Sequence, residues 1–448
     1  MSKTIITNAN IINEGKSSLG YVVIENERID EVGFGEAPAR LLNGNIEIHN
    51  AEGAYLLPGC IDDQVHFRDP GLTHKADIAT ESRAAVAGGI TSFMDMPNTI
   101  PQTTTLEALE CKFQRASEVS VANYSFYIGA TNDNLDTLLK CDYSKVPGVK
   151  LFLGASTGNM LVDNKEALNR IFSEVPALIA IHSEDEGVIR RNREAMIEKY
   201  GENVPVEEHP NIRSTEACYK STANAIELAR RHGARLHILH ISTAKELKLL
   251  SKEILEQKQI TAEVCAHHLW WTDEDYKTLG SRIKWNPAIK TADDRDALRR
   301  GLNKGLIDIV ATDHAPHLLE EKEGGALKAA SGGPLIQFSL PMMLQLADKG
   351  VFSIEKVVDV MAHRPARLFK IADRGFIRKG YYADLVIVKP NTPYKISDDI
   401  VLSRCRWTPL AGETLNNKVI STYINGQRVF YNGIINEACR GMALKFKI

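Results

Sequence analysis

Leu306-Ile307-Asp308-Ile309-Val310-Ala311-Thr312-Asp313-His314-Ala315-Pro316-His317 opens on a short apolar run and closes on a cluster of carboxylate and imidazole side chains. Such a run reads as a buried strand, with the polar residues gathered at its C-terminal end. Working outward, seven further runs of the same texture precede it, at 60–65, 90–94, 124–128, 149–153, 177–181, 235–239 and 260–264. Amphipathic stretches lie between them, and residues 216–232, 244–257 and 293–303 are expected to be helical. Strands alternating with helices form a parallel sheet, and eight such strands close into a barrel. The expected fold is therefore α/β, a (β/α)8 TIM-type barrel over residues 58–370.

Both chain ends have a different texture. Residues 4–12, 20–24 and 29–32, and again 383–388, 419–424 and 428–431, are β-rich runs separated by turns, including Asn425-Gly426 and Asn432-Gly433. Two such small sheets would each be marginal alone, so residues 1–57 and 371–448 are expected to pair into one small composite β domain.

Composition narrows the class. Hydrophobic residues at 44%, charged residues at 25% and a formal net charge of −3 are ordinary for a soluble globular protein and exclude a polyanion or nucleic-acid binder. The seven cysteines are scattered and form no CxxC pair, which argues against a disulfide framework or a thiolate zinc site. No segment approaches the ~20 apolar residues that span a bilayer. A cytoplasmic protein follows, with a small-molecule ligand, no membrane and no nucleic acid; a homodimer is expected only from the general prevalence of two-fold assemblies.

In a barrel of this kind the chemistry sits where strands end. The run ends carry Gln64, His66 and Arg68; Asn98; Lys150; His182, Glu184 and Asp185; His240; His267 and His268; and Asp313, His314 and His317. A chain with 13 histidines has placed most of them at strand ends, where imidazoles and carboxylates can converge on a divalent metal. A lone histidine such as His232 or His237 reads as structural. Independent structural histidines, however, have no reason to choose the same end of several strands. Lys150 has two readings, a functional group or a counter-charge for Asp313 or Glu184. His267 and His268 stay open, as does the loop 318–334, a solvated insertion or a lid.

These strand ends resemble the zinc dihydroorotases of the amidohydrolase superfamily over nearly the whole chain. The likeness is carried by Pro58-Gly59-Cys60-Ile61-Asp62 leading to His66-Phe67-Arg68-Asp69-Pro70-Gly71, by Asp95-Met96-Pro97-Asn98-Thr99, and by Ala311-Thr312-Asp313-His314-Ala315-Pro316-His317. Val149-Lys150-Leu151-Phe152, Ile181-His182-Ser183-Glu184-Asp185, Leu239-His240-Ile241-Ser242-Thr243 and Trp285-Asn286-Pro287 also fit. The resemblance implies His66, His182, His240 and Asp313 as metal ligands, with an N6-carboxylated Lys150 bridging two zinc ions. It implies Asp313 as proton carrier in the reversible hydrolysis of a ring amide, dihydroorotate to N-carbamoyl-aspartate. Arg68, Asn98 and His317 would hold the substrate's acid group, and Asn286 its ring. Taken alone, Arg68 could simply pair with Asp69, and Asn98 could cap a turn. Thr157 and Gly158, just past Lys150, are candidate loop contacts.

One departure stands out. Gln64 occupies the place where the pattern carries the first histidine of a His-x-His pair, so it is expected to be a weak ligand or none, leaving two metal positions of unequal affinity. Two other readings compete. Hydantoinases, dihydropyrimidinases and allantoinases use related rings, and a catalytically silent dihydroorotase-like subunit would support aspartate carbamoyltransferase.

Overall fold

The computed structural model describes residues 3–44, 46–154 and 160–447. Thr157 and Gly158 lie outside the described residues. The N-terminal strands are β1 (Lys3–Asn13), β2 (Lys16–Glu25), β3 (Arg28–Phe34), β4 (Glu47–Asn50) and β5 (Tyr55–Pro58). The barrel strands follow as β6 (Cys60–Val65), β7 (Ile90–Asp95), β8 (Asn123–Phe126), β9 (Ile128–Gly129), β10 (Val149–Phe152), β11 (Ile179–His182), β12 (Leu236–Ile238), β13 (Ile260–Cys265) and β14 (Ile309–Ala311). After them come β15 (Leu385–Lys389), β16 (Tyr394–Lys395), β17 (Thr414–Leu415), β18 (Lys418–Ile424), β19 (Gln427–Tyr431) and β20 (Ile434–Ile435).

Every barrel pairing is parallel, running β6-β7-β8 and then β9-β10-β11-β12-β13-β14. The third stave is one run of sequence that breaks at Tyr127, so β8 pairs back to β7 and β9 forward to β10. The ring closes between the eighth and first staves: His66 N donates to His314 O at 2.7 Å, and the Thr312 hydroxyl donates to Asp62 Oδ2 at 2.6 Å. This is the (β/α)8 barrel read from the sequence. Its strands are buried on both faces, as the near-continuous apolar runs required.

The two chain ends meet in one nine-stranded sheet ordered β20-β19-β18-β15-β5-β1-β2-β3, with β4 beside β1. Its seam is β5 against β15, antiparallel, from Leu385 opposite Pro58 to Val388 opposite Tyr55. The last residues return to the barrel, where Leu444 N donates to Tyr124 O. Among the described residues, no helix is long and apolar enough to cross a membrane.

One expected helix is absent. Residues 244–257 form only short turns at Glu246–Leu249 and Leu255–Gln257. The buried Glu246 carboxylate is taken by the hydroxyls of Thr243 and Thr222, at 2.8 and 2.9 Å, and a fixed tertiary anchor at the first turn overrides a weak helical periodicity.

Candidate metal centre

Three residues at strand ends carry a left-handed backbone: Arg68, His240 and Asp313, at φ of 65°, 42° and 46°. Non-glycine residues reach this region at a cost, and such strain collects where side chains must be aimed. The result is convergence. Gln64, His66, Arg68, Asn98, Lys150, His182, His240, Asn286, Asp313 and His317 all line one cavity of about 260 Å³ at the C-terminal end of the barrel.

The histidines are held in defined tautomers. His182 Nε2–H donates to Glu184 Oε2 at 3.0 Å, so Nδ1 carries the lone pair, 3.0 Å from His240 Nε2. Burial lowers the pKa of both imidazoles, His240 well below its usual value, and keeps them neutral donors. Burial opposes the ionised form of Glu184, but Arg213 and the His182 hydrogen bond hold its carboxyl down at about 2. His66 Nδ1 is 2.8 Å from Asn98 Oδ1, which leaves Nε2 facing Asp313 Oδ1 at 3.1 Å. Tetrahedral bonds of ~2.1 Å place neighbouring donors ~3.4 Å apart, so these neutral, inward-turned donors fit a divalent ion.

Lys150 is 1% exposed, its ammonium above the Phe152 ring at 4.6 Å. Among the described residues no carboxylate forms an ion pair with it; Glu184 is paired to Arg213 instead. Burial drives its pKa down to about 7, towards the neutral amine, the form that can add CO₂. Gln64 turns its amide nitrogen to Asp313 Oδ1 at 3.3 Å, while its oxygen lies 3.9 Å from Cys265 Sγ.

The far wall carries the Arg68 guanidinium. Arg68 does not pair with Asp69, which takes Arg115 at 3.3 Å; its guanidinium donates to Pro316 O at 3.2 Å and faces His317 Nε2 at 3.0 Å. Lys75 Nζ stands 3.1 Å from His317 Nδ1 and pairs with Glu321 at 2.5 Å. Burial, then Arg68, Lys75 and Lys322, push the His317 pKa far down, so the imidazole is neutral; burial likewise holds the Lys322 amine well below its usual value. Asn286 Oδ1 is buried and lacks a hydrogen-bond partner among the described residues.

Several strand-end residues face elsewhere. His314 donates from Nε2 to Glu81 at 2.7 Å and accepts from Leu335 N at 2.9 Å, a structural role. His267 and His268 sit beyond β13 on the one-turn helix Ala266–Trp270; His267 stacks on Trp285 and His268 donates to Pro287 O at 3.1 Å. The loop 318–334 packs over one side of the cavity: buried Lys322 donates to the carbonyls of Ala330 and Gly332, both at 2.6 Å, and Ser331 reaches the cavity. Arg213, Lys75, Lys322 and Ser331 were not singled out from the sequence. None follows a strand directly, and only tertiary contacts bring them in.

Barrel, strand-end imidazoles and buried lysine together define a metal-dependent barrel hydrolase. The profile of the amidohydrolase family matches residues 55–429. The chain is 33% identical to the dihydroorotase of Pyrococcus furiosus, covering 96% of this chain and 95% of that one, and 33% identical to that of Methanosarcina acetivorans, covering 91% and 88%. It is also 33% identical to an allantoinase of Streptomyces avermitilis, covering 85% and 86%. Among solved structures, an L-hydantoinase from Arthrobacter aurescens superposes with a TM-score of 0.90 at 25% identity, covering 97% of this chain and 98% of that one. The chain belongs to the amidohydrolase family, whose chemistry is metal-dependent.

Proposed function

We propose that this chain is a dihydroorotase, hydrolysing the ring amide of dihydroorotate reversibly to N-carbamoyl-aspartate. The observation that carries the substrate is the Arg68 guanidinium, which lines the cavity beside a neutral His317 and is not taken by Asp69; a neutral hydantoin or dihydropyrimidine ring has no carboxylate to place there. Zinc ions held by His66, Asp313 and a carboxylated Lys150 on one side, and by Lys150, His182 and His240 on the other, would supply a water acidic enough to attack at neutral pH and would polarise the ring carbonyl.

The chain's own groups do the rest. Arg68 and His317 bind the substrate carboxylate, and the Asn98 amide N–H₂, which donates to no group among the described residues while its oxygen accepts from His66, adds a donor. The unpartnered Asn286 oxygen accepts a ring N–H. Asp313 takes the proton of the attacking water as its oxygen bonds to the carbonyl carbon. It then delivers that proton to the ring nitrogen as the C–N bond breaks. Trp285 Nε1–H fixes the Asp313 carbonyl at 3.1 Å and so the direction of its carboxylate.

Comparing kcat/KM for dihydroorotate, dihydrouracil and allantoin tests the assignment, and preference for either neutral ring would overturn it. In Arg68→Lys, kcat/KM for dihydroorotate should fall by about 10-fold or more, since an ammonium cannot reproduce a bidentate fork; an unchanged value would remove Arg68 from the carboxylate site. Gln64 offers nitrogen rather than oxygen to the cavity, so the position beside His66 is the weaker one. Stepwise chelation should release one ion well before the other, and Gln64→His should narrow the gap; two equally tight ions in the parent protein would contradict this. Two bound ions with no turnover of dihydroorotate would favour a silent subunit supporting aspartate carbamoyltransferase.

A further inference from the structure

Inside the barrel a second set of donors is enclosed. Asp63 on β6, His237 on β12 and Glu263 on β13 are each 0% exposed, and one donor atom from each lies within 4.8 Å of the others. His237 Nε2 is 3.3 Å from Glu263 Oε2 and 3.5 Å from Asp63 Oδ2. These are the separations expected across an edge of a tetrahedral zinc site, ~3.4 Å for bonds of ~2.1 Å.

The tautomer of His237 depends on its neighbours. Its Nδ1 lies 2.9 Å from Thr261 Oγ1, and that hydroxyl also lies 3.3 Å from Leu236 O. With the Thr261 proton on Leu236 O, His237 carries its proton on Nδ1 and turns its Nε2 lone pair to the two carboxylates; with the Thr261 proton on Nδ1, Nε2–H donates to Glu263 Oε2 at 3.3 Å. Neither oxygen of Asp63 has a hydrogen-bond partner among the described residues. The Tyr127 hydroxyl, equally buried and unpartnered, is close enough to Asp63 and Glu263 to feel their charge. Lone pairs turned on one another, away from water, repel unless something positive lies between them.

We propose that Asp63, His237 and Glu263 hold a buried divalent cation of the zinc class, distinct from the centre that lines the cavity. Two carboxylates, one neutral imidazole and one divalent ion sum to zero charge, as a dry interior requires. Asp63 stands beside Gln64, so where the cavity lacks an imidazole the adjacent residue adds a carboxylate one layer deeper. Glu263 Oε1 also accepts from His240 N at 3.1 Å, which ties this group to the floor of the cavity. Without a cation the cluster must instead take up protons, Asp63 and Glu263 sharing one.

The test uses the whole enzyme, purified with zinc and without chelator. An anomalous difference map at the zinc edge should show a peak about 2.0–2.2 Å from Asp63, His237 and Glu263, separate from any density in the cavity. Phenanthroline should strip the cavity ions and leave one zinc equivalent per chain, because the inner donors have no exposed surface. Asp63→Asn should lower total zinc by one equivalent in both states. If that variant does not fold, the map of the parent protein decides alone. No peak at the three donors in zinc-saturated crystals, with Asp63 and Glu263 sharing a proton instead, would overturn the proposal, as would unchanged zinc content in folded Asp63→Asn.

Discussion

An Asp313→Asn enzyme should fold, retain at least part of its metal and lose kcat by about 10²–10⁴-fold, the usual contribution of a positioned proton carrier. The substitution is nearly isosteric, and the main-chain anchor from Trp285 Nε1 to the Asp313 carbonyl does not involve the side chain. What disappears is the site for the proton between attacking water and departing nitrogen. The amide also turns one acceptor towards Gln64 and His66 into a donor, so the orientation set by His66 Nε2 at 3.1 Å and Gln64 Nε2 at 3.3 Å is disturbed. Steady-state kinetics in both directions check this, since the same carboxylate serves hydrolysis and ring closure; more than a few per cent of parental kcat in either direction would remove Asp313 from proton transfer.

Lys150→Ala should cost even more, because it removes the side chain proposed to join both halves of the centre. With His66 and Asp313 on one side and His182 and His240 on the other, the pair then lacks a shared ligand, and metal affinity should fall by well over 10-fold, with turnover following. The vacated space is buried and faces neutral imidazoles, so acetate or propionate should restore part of both metal content and activity by supplying a substitute carboxylate. Lys150→Arg, which cannot form a carbamate and cannot become neutral, should not be rescued. An unmodified Lys150 in the mass spectrum of fully metallated, active enzyme would refute the carboxylated lysine.

Much of this centre was legible from one chain. Period and count determined the barrel, since apolar runs of strand length separated by amphipathic stretches can bury both faces only in a parallel sheet, and eight close it. Position at the strand ends singled out His66, His182, His240 and Asp313 together, whereas Lys150 stayed open between a functional group and a counter-charge until the family resemblance was added. The pairing of the chain ends followed from two β-rich segments too small to stand separately, and Leu385 opposite Pro58 is where they join.

What the sequence could not decide was direction. His314 sits one residue past Asp313, yet the left-handed turn at Asp313 sends the carboxylate into the cavity and the imidazole to Glu81. His237 read as a lone structural histidine, because Asp63 and Glu263 become its neighbours only when β6, β12 and β13 are brought together around the barrel axis. Lys75 and Lys322 likewise acquire their meaning from His317 and the loop carbonyls. Strand order and the identity of strand-end residues are local properties of the chain. The contacts of His317 with Arg68 and Lys75, and of Glu81 with His314, join segments more than two hundred residues apart, set by barrel closure and by no periodicity within a segment.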